Sequence, residues 1–183
     1  MSSHSCVRRR HSGVTMVELI AVLIIIGVLG AVAATRFFDR NSFEADSFTD
    51  QARSMLRYAQ KIAVAQNRNV FVRLDGKSVA ACFDSACTAG GHLPAPSGTN
   101  SGSAATLAQC GNATWFCEAV PQGITYGVTG SLALFRFDGL GKPFRDTDSD
   151  ATGLSTFQRT NLSISGDGAT RTITIEPETG YVH

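Results

Sequence analysis

The 183 residues carry sixteen basic and fifteen acidic side chains, a formal net charge of +1. That balance excludes capture of nucleic acid through a strongly basic overall field. The length suffices for one apolar anchor and one modest globular core, but not for two cores.

Residues 1–13 contain Arg8-Arg9-Arg10 and no acid, so their removal would lower the formal +1 by three, to −2. Residues 14–35 are apolar apart from Glu18. As a helix they would extend about 33 Å at about 1.5 Å per residue, enough to cross a bilayer. Three arginines before the run and a mixed Arg36/Asp39/Arg40 group after it predict a cytoplasmic N-terminus, with the remainder exported. An ordinary secretory signal is the competing reading, because Ala31-Val32-Ala33 offers a small-residue cleavage pattern. Against it stand the length of the run and its one acid. An ionised carboxylate inside hydrocarbon costs roughly 2.5 to 3.5 kcal/mol at mid-helix, so Glu18 needs a partner. No basic residue lies within the run. The nearest cation would be a free amine at Val14, created by a cut after Gly13 and offered by a neighbouring chain.

The segment Gly13-Val14-Thr15-Met16-Val17-Glu18-Leu19 behind Arg8-Arg9-Arg10 resembles the processing site of type IV pilins and type II secretion pseudopilins. In that family a short basic leader ends in Gly, a hydrophobic residue follows the cut, and Glu is the fifth mature residue. Val14 stands where Phe is usual, and Met16 where Leu is common. The resemblance implies that a membrane-embedded prepilin peptidase cleaves Gly13-Val14 and methylates the new amine of Val14, and that Glu18 directs assembly. The implied partners are other pilin subunits, joined helix to helix, and the inner-membrane pilus or secretion assembly machinery. The implied location is a single pass through the inner membrane with a periplasmic C-terminal domain, then a pilus or pseudopilus.

Residues 36–67 continue the helical pattern, with Ala52, Met55, Leu56, Ala59, Ile62, Ala63 and Gln66 at three-four spacing on one stripe. Asn41-Ser42 is a place for a bend. Arg53, Arg57 and Lys61 share a ridge at four-residue spacing, with Arg68 beyond it. A solvated face is the plainer reading of that ridge, and a ligand- or nucleic-acid-contact surface the functional one. After Asn67 the period turns to alternation. Val70, Val72 and Leu74 predict a strand, Asp75-Gly76 a tight turn, and residues 78–83 its partner.

Residues 84–121 are rich in Gly, Ser, Ala and Thr and read as a long surface loop. It begins just after Cys82 and holds Cys87, Cys110 and Cys117. An exported chain meets oxidising conditions, so disulfides are their natural use. Local pairs close short loops, whereas a link between the two clusters would pin the segment between them. Zinc is a third reading, but neither spacing matches a two-residue knuckle. Trp115 and Phe116 are expected to anchor the far end of the loop in the core.

Strand-like runs resume at residues 123–128 and 132–137, and at 160–165 and 170–176 around Gly166-Asp167-Gly168, with residues 180–183 closing the last edge. The fold class is therefore α+β: a long N-terminal helix packed on an antiparallel β-sheet domain over 68–183. Asp146, Asp148 and Asp150 alternate like the start of a calcium loop. The match then fails, since Ala151 replaces the glycine and Phe157 the bidentate acid, so a solvated acidic turn is the plainer reading. His4 and His11 lie in the leader, His183 ends the chain, and His92 has no flanking nucleophile motif. No catalytic set and no cofactor is expected.

Three downstream segments, residues 57–65, 137–143 and 178–183, resemble the C-type minor pilin of the mannose-sensitive haemagglutinin pilus, and more loosely the H-type pseudopilin and T-type fimbrial minor pilin. That resemblance implies a minor subunit of an adhesive filament. The alternatives it leaves are a pseudopilin of a type II secretion system and a DNA- or ligand-binding minor pilin.

Overall fold

A computed structural model of the chain describes residues 15–183, except for the side chains of residues 32–40 and Ser131. Residues 1–13, Val14 and the Gly13-Val14 bond lie outside the described residues. The chain divides into two compact units, Met1–Phe38 and Asp39–His183. Helix α1, Met16–Gln66, contributes to both.

In the second unit, α1 buries Ala45, Phe48, Ala52, Met55, Leu56, Ala59 and Ala63. The alanines at 45, 52 and 59 recur every seven residues, which keeps this stripe flat and lets the sheets approach the backbone. The approach is closest at Gly166, where a Cβ would lie 2.8 Å from the carbonyl oxygen of Asn41 and 3.0 Å from the Cβ of Ala45. Ile62 is half-buried and Gln66 exposed, so the stripe ends a turn earlier than its sequence spacing suggests.

Eight strands follow: β1 Val70–Leu74, β2 Ser78–Cys82, β3 Cys117–Ala119, β4 Thr125–Val128, β5 Leu134–Phe137, β6 Pro143–Arg145, β7 Thr160–Gly166 and β8 Ala169–Ile175. They form two antiparallel sheets rather than one, in orders β3-β2-β1-β5-β6 and β4-β7-β8. Strand β1 reads buried at Val70, Val72 and Leu74 and half-buried between, the period-two pattern of a sheet with one core face. Its turn into β2 is made by Gly76 at φ +77°. The Asp75 carboxylate accepts from the N–H groups of Lys77 and Ser78. The main core joins the α1 stripe to Val70, Val72, Phe135, Phe137, Leu162, Ile164, Ile173 and Ile175.

The expected loop over 84–121 contains structure of its own. Helix α2, Ala104–Cys110, starts where the Ser103 hydroxyl accepts from the Thr106 N–H and ends at Gly111, left-handed at φ +68°. Strand β3 follows. Cys82 is joined to Cys87 and Cys110 to Cys117, the two local pairs. Both disulfides surround buried Trp115 in a second apolar cluster with Ala80. The indole N–H donates to the Ala81 carbonyl at 2.9 Å, and His92 stacks on the ring at 3.9 Å between centroids. Phe116 meets Tyr58 of α1 edge-on.

The segment between β5 and β6 is a tight turn: Asp138 Oδ1 accepts from the N–H groups of Leu140 and Lys142. What pattern reading missed is β6 itself. Three residues headed by a proline give too short an alternation to register.

Candidate functional site

In the first unit every described residue from 15 to 31 is exposed. Eleven large apolar side chains stand open to solvent, among them Met16, Val17, Leu19, Ile20, Ile24 and Leu29, at 48% to 83% of their full area. They surround the helix rather than forming a stripe. A helix apolar all round belongs in lipid or among other helices, because covering each such side chain is worth about 1.5 to 3 kcal/mol. Among the described residues no helix is long and apolar enough to cross a membrane. The expected span, 14–35, runs past the described side chains at both ends. A Cβ added to Gly27 or Gly30 would meet nothing within 4 Å, so each glycine leaves a shallow notch in this surface.

Glu18 lies in the first turn of α1. Its N–H donates to the Thr15 hydroxyl at 3.2 Å, and Leu19 N–H donates to the Thr15 carbonyl at 3.1 Å. Thr15-Met16-Val17-Glu18 is therefore a capped helix start of the Thr-x-x-Glu kind, with the acid near the positive end of the helix dipole. The sequence carries this signal openly, but an argument about membrane cost passes over it. Among the described residues no ion pair reaches the Glu18 carboxylate, which leaves its oxygens available for an outside cation.

The basic ridge is exposed at Arg57, Lys61 and Arg68, yet three of its four members have partners within the fold. Arg53 pairs with Asp50 at 2.6 Å, Arg57 Nε donates to the Val182 carbonyl at 3.0 Å, and the Arg68 guanidinium lies 3.9 Å from the centre of the Phe83 ring. Lys61 is exposed. The acidic turn is likewise engaged. Asp148 accepts from Arg145 N–H, Thr156 N–H and the Thr156 hydroxyl, while Asp150 accepts from buried Arg136 at 2.6 Å and from Asn69. Burial would raise the Asp148 carboxyl, but the Thr156 and Arg145 donors and the Arg136 charge hold it below the usual carboxylate range. Among the described residues no three His, Cys, Asp or Glu side chains gather to hold a metal ion. Asp146 is exposed and makes no third member of such a set.

The family of the prokaryotic N-terminal methylation motif matches residues 8–34, the segment that holds Glu18 and the exposed apolar helix. At its N-terminus this chain carries that motif. No curated protein matches the sequence. Among solved structures, two crystal forms of the type IV minor pilin FimU of Pseudomonas aeruginosa are similar, both with a TM-score of 0.45. One is 16% identical, covering 79% of this chain and 87% of that one; the other is 17% identical, covering 75% and 90%. The minor pseudopilin EpsH of the type 2 secretion system of Vibrio cholerae is 15% identical with the same TM-score, covering 78% of this chain and 94% of that one. Within the second unit, the segments 57–65, 137–143 and 178–183 converge at one point. Gln60 Nε2 donates to the carbonyls of Gly141 and Thr179, both at 2.9 Å. A Cβ at Gly180 would collide with the Gly141 carbonyl.

Proposed function

We propose that this chain is a minor pilin, made as a precursor, cut between Gly13 and Val14, methylated on Val14 and assembled into a filament through residues 14–35. The observation that carries the reading is the apolar surface around α1 over the described residues 16–31, interrupted there only by Glu18 with its carboxylate unpaired among the described residues. Before assembly, residues 1–13 are a leader, 14–35 the single membrane pass with the N-terminus in the cytoplasm, 36–67 the amphipathic part of α1, and 68–183 the periplasmic domain. In the membrane the Glu18 carboxylate attracts the cleaved amine of Val14 on an adjoining subunit, so two charges costly in low dielectric neutralise each other. A precursor that keeps its leader has no amine at that depth. In the filament the apolar surfaces bury one another and the β domain stays outside.

The pilus concerned is of the mannose-sensitive haemagglutinin type and supports adhesion. The convergence of the three downstream segments on Gln60 supports that branch. A DNA- or ligand-binding role for Arg53, Arg57, Lys61 and Arg68 is less favoured, because three of the four are engaged within the fold. Intact-mass measurement of the chain from sheared filaments tests the processing. Loss of residues 1–13 with one added methyl is expected, and loss through Ala33 would return the chain to conventional secretion. Deletion of the gene should reduce adhesion while enzyme export continues; the reverse pattern assigns the chain to a secretion system.

A further inference from the structure

A β-sheet edge with unpaired backbone groups invites another strand, and folded proteins usually block it. Most of the edge length in this domain is blocked by identifiable chemistry. On β3, the Ala119 N–H donates to the Thr106 hydroxyl at 3.2 Å, and α2 is strapped alongside by Cys110–Cys117. On β6, Pro143 has no N–H and its carbonyl accepts from the Ser155 hydroxyl. Arg145 N–H there donates to Asp148, and its carbonyl accepts from Arg136. On β8, Thr174 exchanges both main-chain bonds with His183, and Arg171 carries a charge over the Ala169 carbonyl.

Strand β4 differs. It pairs with β7 on one side, and among the described residues no main-chain or side-chain bond outside that ladder reaches the N–H or carbonyl groups of residues 125–127. Residues 119–135 contain no charged side chain and no proline except Pro121, so nothing there repels a strand. Beside β4 opens a cleft of about 530 Å³ between Gly76-Lys77, one face of α2 at Ala105 and Gln109, and Pro121-Gln122. Tyr126 borders it, with its ring packed edge-on against Phe48 of α1. Lys77 is the one charged side chain among the described residues on its walls, and no ion pair among them engages it.

We propose that the β4 edge and this cleft bind an extended segment of another protein chain, added antiparallel or parallel to β4, with an acidic side chain placed against Lys77. Main-chain bonds to β4 supply the affinity, and Lys77 selects the charge. This does not rest on the pilin reading.

The test uses the full chain in detergent micelles and a panel of capped hexapeptides alternating Thr and Val, with one Glu moved through the inner positions. Hydrogen exchange of the peptic segment spanning residues 123–131 is the readout. At least one Glu peptide should slow exchange about tenfold. The same peptide N-methylated on alternate amides should not, and Lys77→Glu should transfer the preference to the matching Lys peptide. Three results would overturn the proposal: no peptide slows exchange, the N-methylated peptide works as well, or raising the concentration of the chain alone protects β4, which would make the edge a contact between copies.

Discussion

Replacing Glu18 by glutamine removes one charge and almost nothing else, which makes it the sharpest separation of two roles for that position. Locally, glutamine can still serve three residues after the Thr15 cap, so the helix start loses only the interaction of charge with dipole, about 0.3 to 1 kcal/mol. Between chains the loss is larger. If the carboxylate neutralises a buried amine, its removal leaves that amine uncompensated, at a cost of about 3 to 5 kcal/mol. At about 1.4 kcal/mol per factor of ten, assembly should fall by roughly two to nearly four orders of magnitude. Circular dichroism of the full chain in micelles should show unchanged helix content, while the variant should be missing from sheared filaments and retained in the membrane. Glu18→Gln filaments carrying the variant at the normal level would refute the pairing argument and leave Glu18 as a capping residue alone.

Arg136 is 3% exposed and donates to the carbonyls of Arg145 and Asp148 as well as to Asp150. Arg136→Met should lower stability by about 1 to 3 kcal/mol, read from the urea midpoint, since two part-buried carbonyls lose their donor. Opening the Cys110–Cys117 bridge with the double change to serine should cost about 2 to 3 kcal/mol for so short a loop, and should raise proteolysis within residues 99–116 before the rest of the domain is attacked. The Arg171 guanidinium, bonded to both oxygens of Asp46, holds that carboxyl below its ordinary range. A carboxyl lowered in the folded state adds stability that is present above its unfolded pKa of about 3.9 and is lost as the pH falls through the folded value. Asp46→Asn should therefore flatten the fall in thermal midpoint below about pH 4 and leave a smaller difference between acid and neutral pH; an unchanged acid limb would contradict this.

Long, strongly patterned elements were legible in the sequence, and short ones were not. The three-four spacing of Ala52, Met55, Leu56 and Ala59 locates the buried face of α1, and alternation at Val70, Val72 and Leu74 locates β1. Nothing comparable marks β3 or β6, each three residues long, and β3 is held in place by β2, distant in sequence. Helix α2 did leave a signal, Ser103 before it and Gly111 after it, within a composition that reads as loop. At the N-terminus the apolar run with its lone acid was legible because hydrocarbon penalises charge so heavily. Thr15 was passed over because a cap is a local device with a much smaller energy. The engagement of Arg57 and Arg68 could not be read at all, since their partners Val182 and Phe83 come from other elements.

The second apolar cluster gives the segment between β2 and β4 an interior of its own. Trp115, two bridges and the Glu118 carboxylate, bonded by Ser101 and Thr106, brace it locally, while Leu93 and Phe116 tie it to the larger interior beneath α1. The outward loops of that segment can therefore be rewritten, lengthened or exchanged for foreign epitopes while the platform under them keeps its shape. A segment braced in this way lets surface chemistry drift without endangering the chain's capacity to fold.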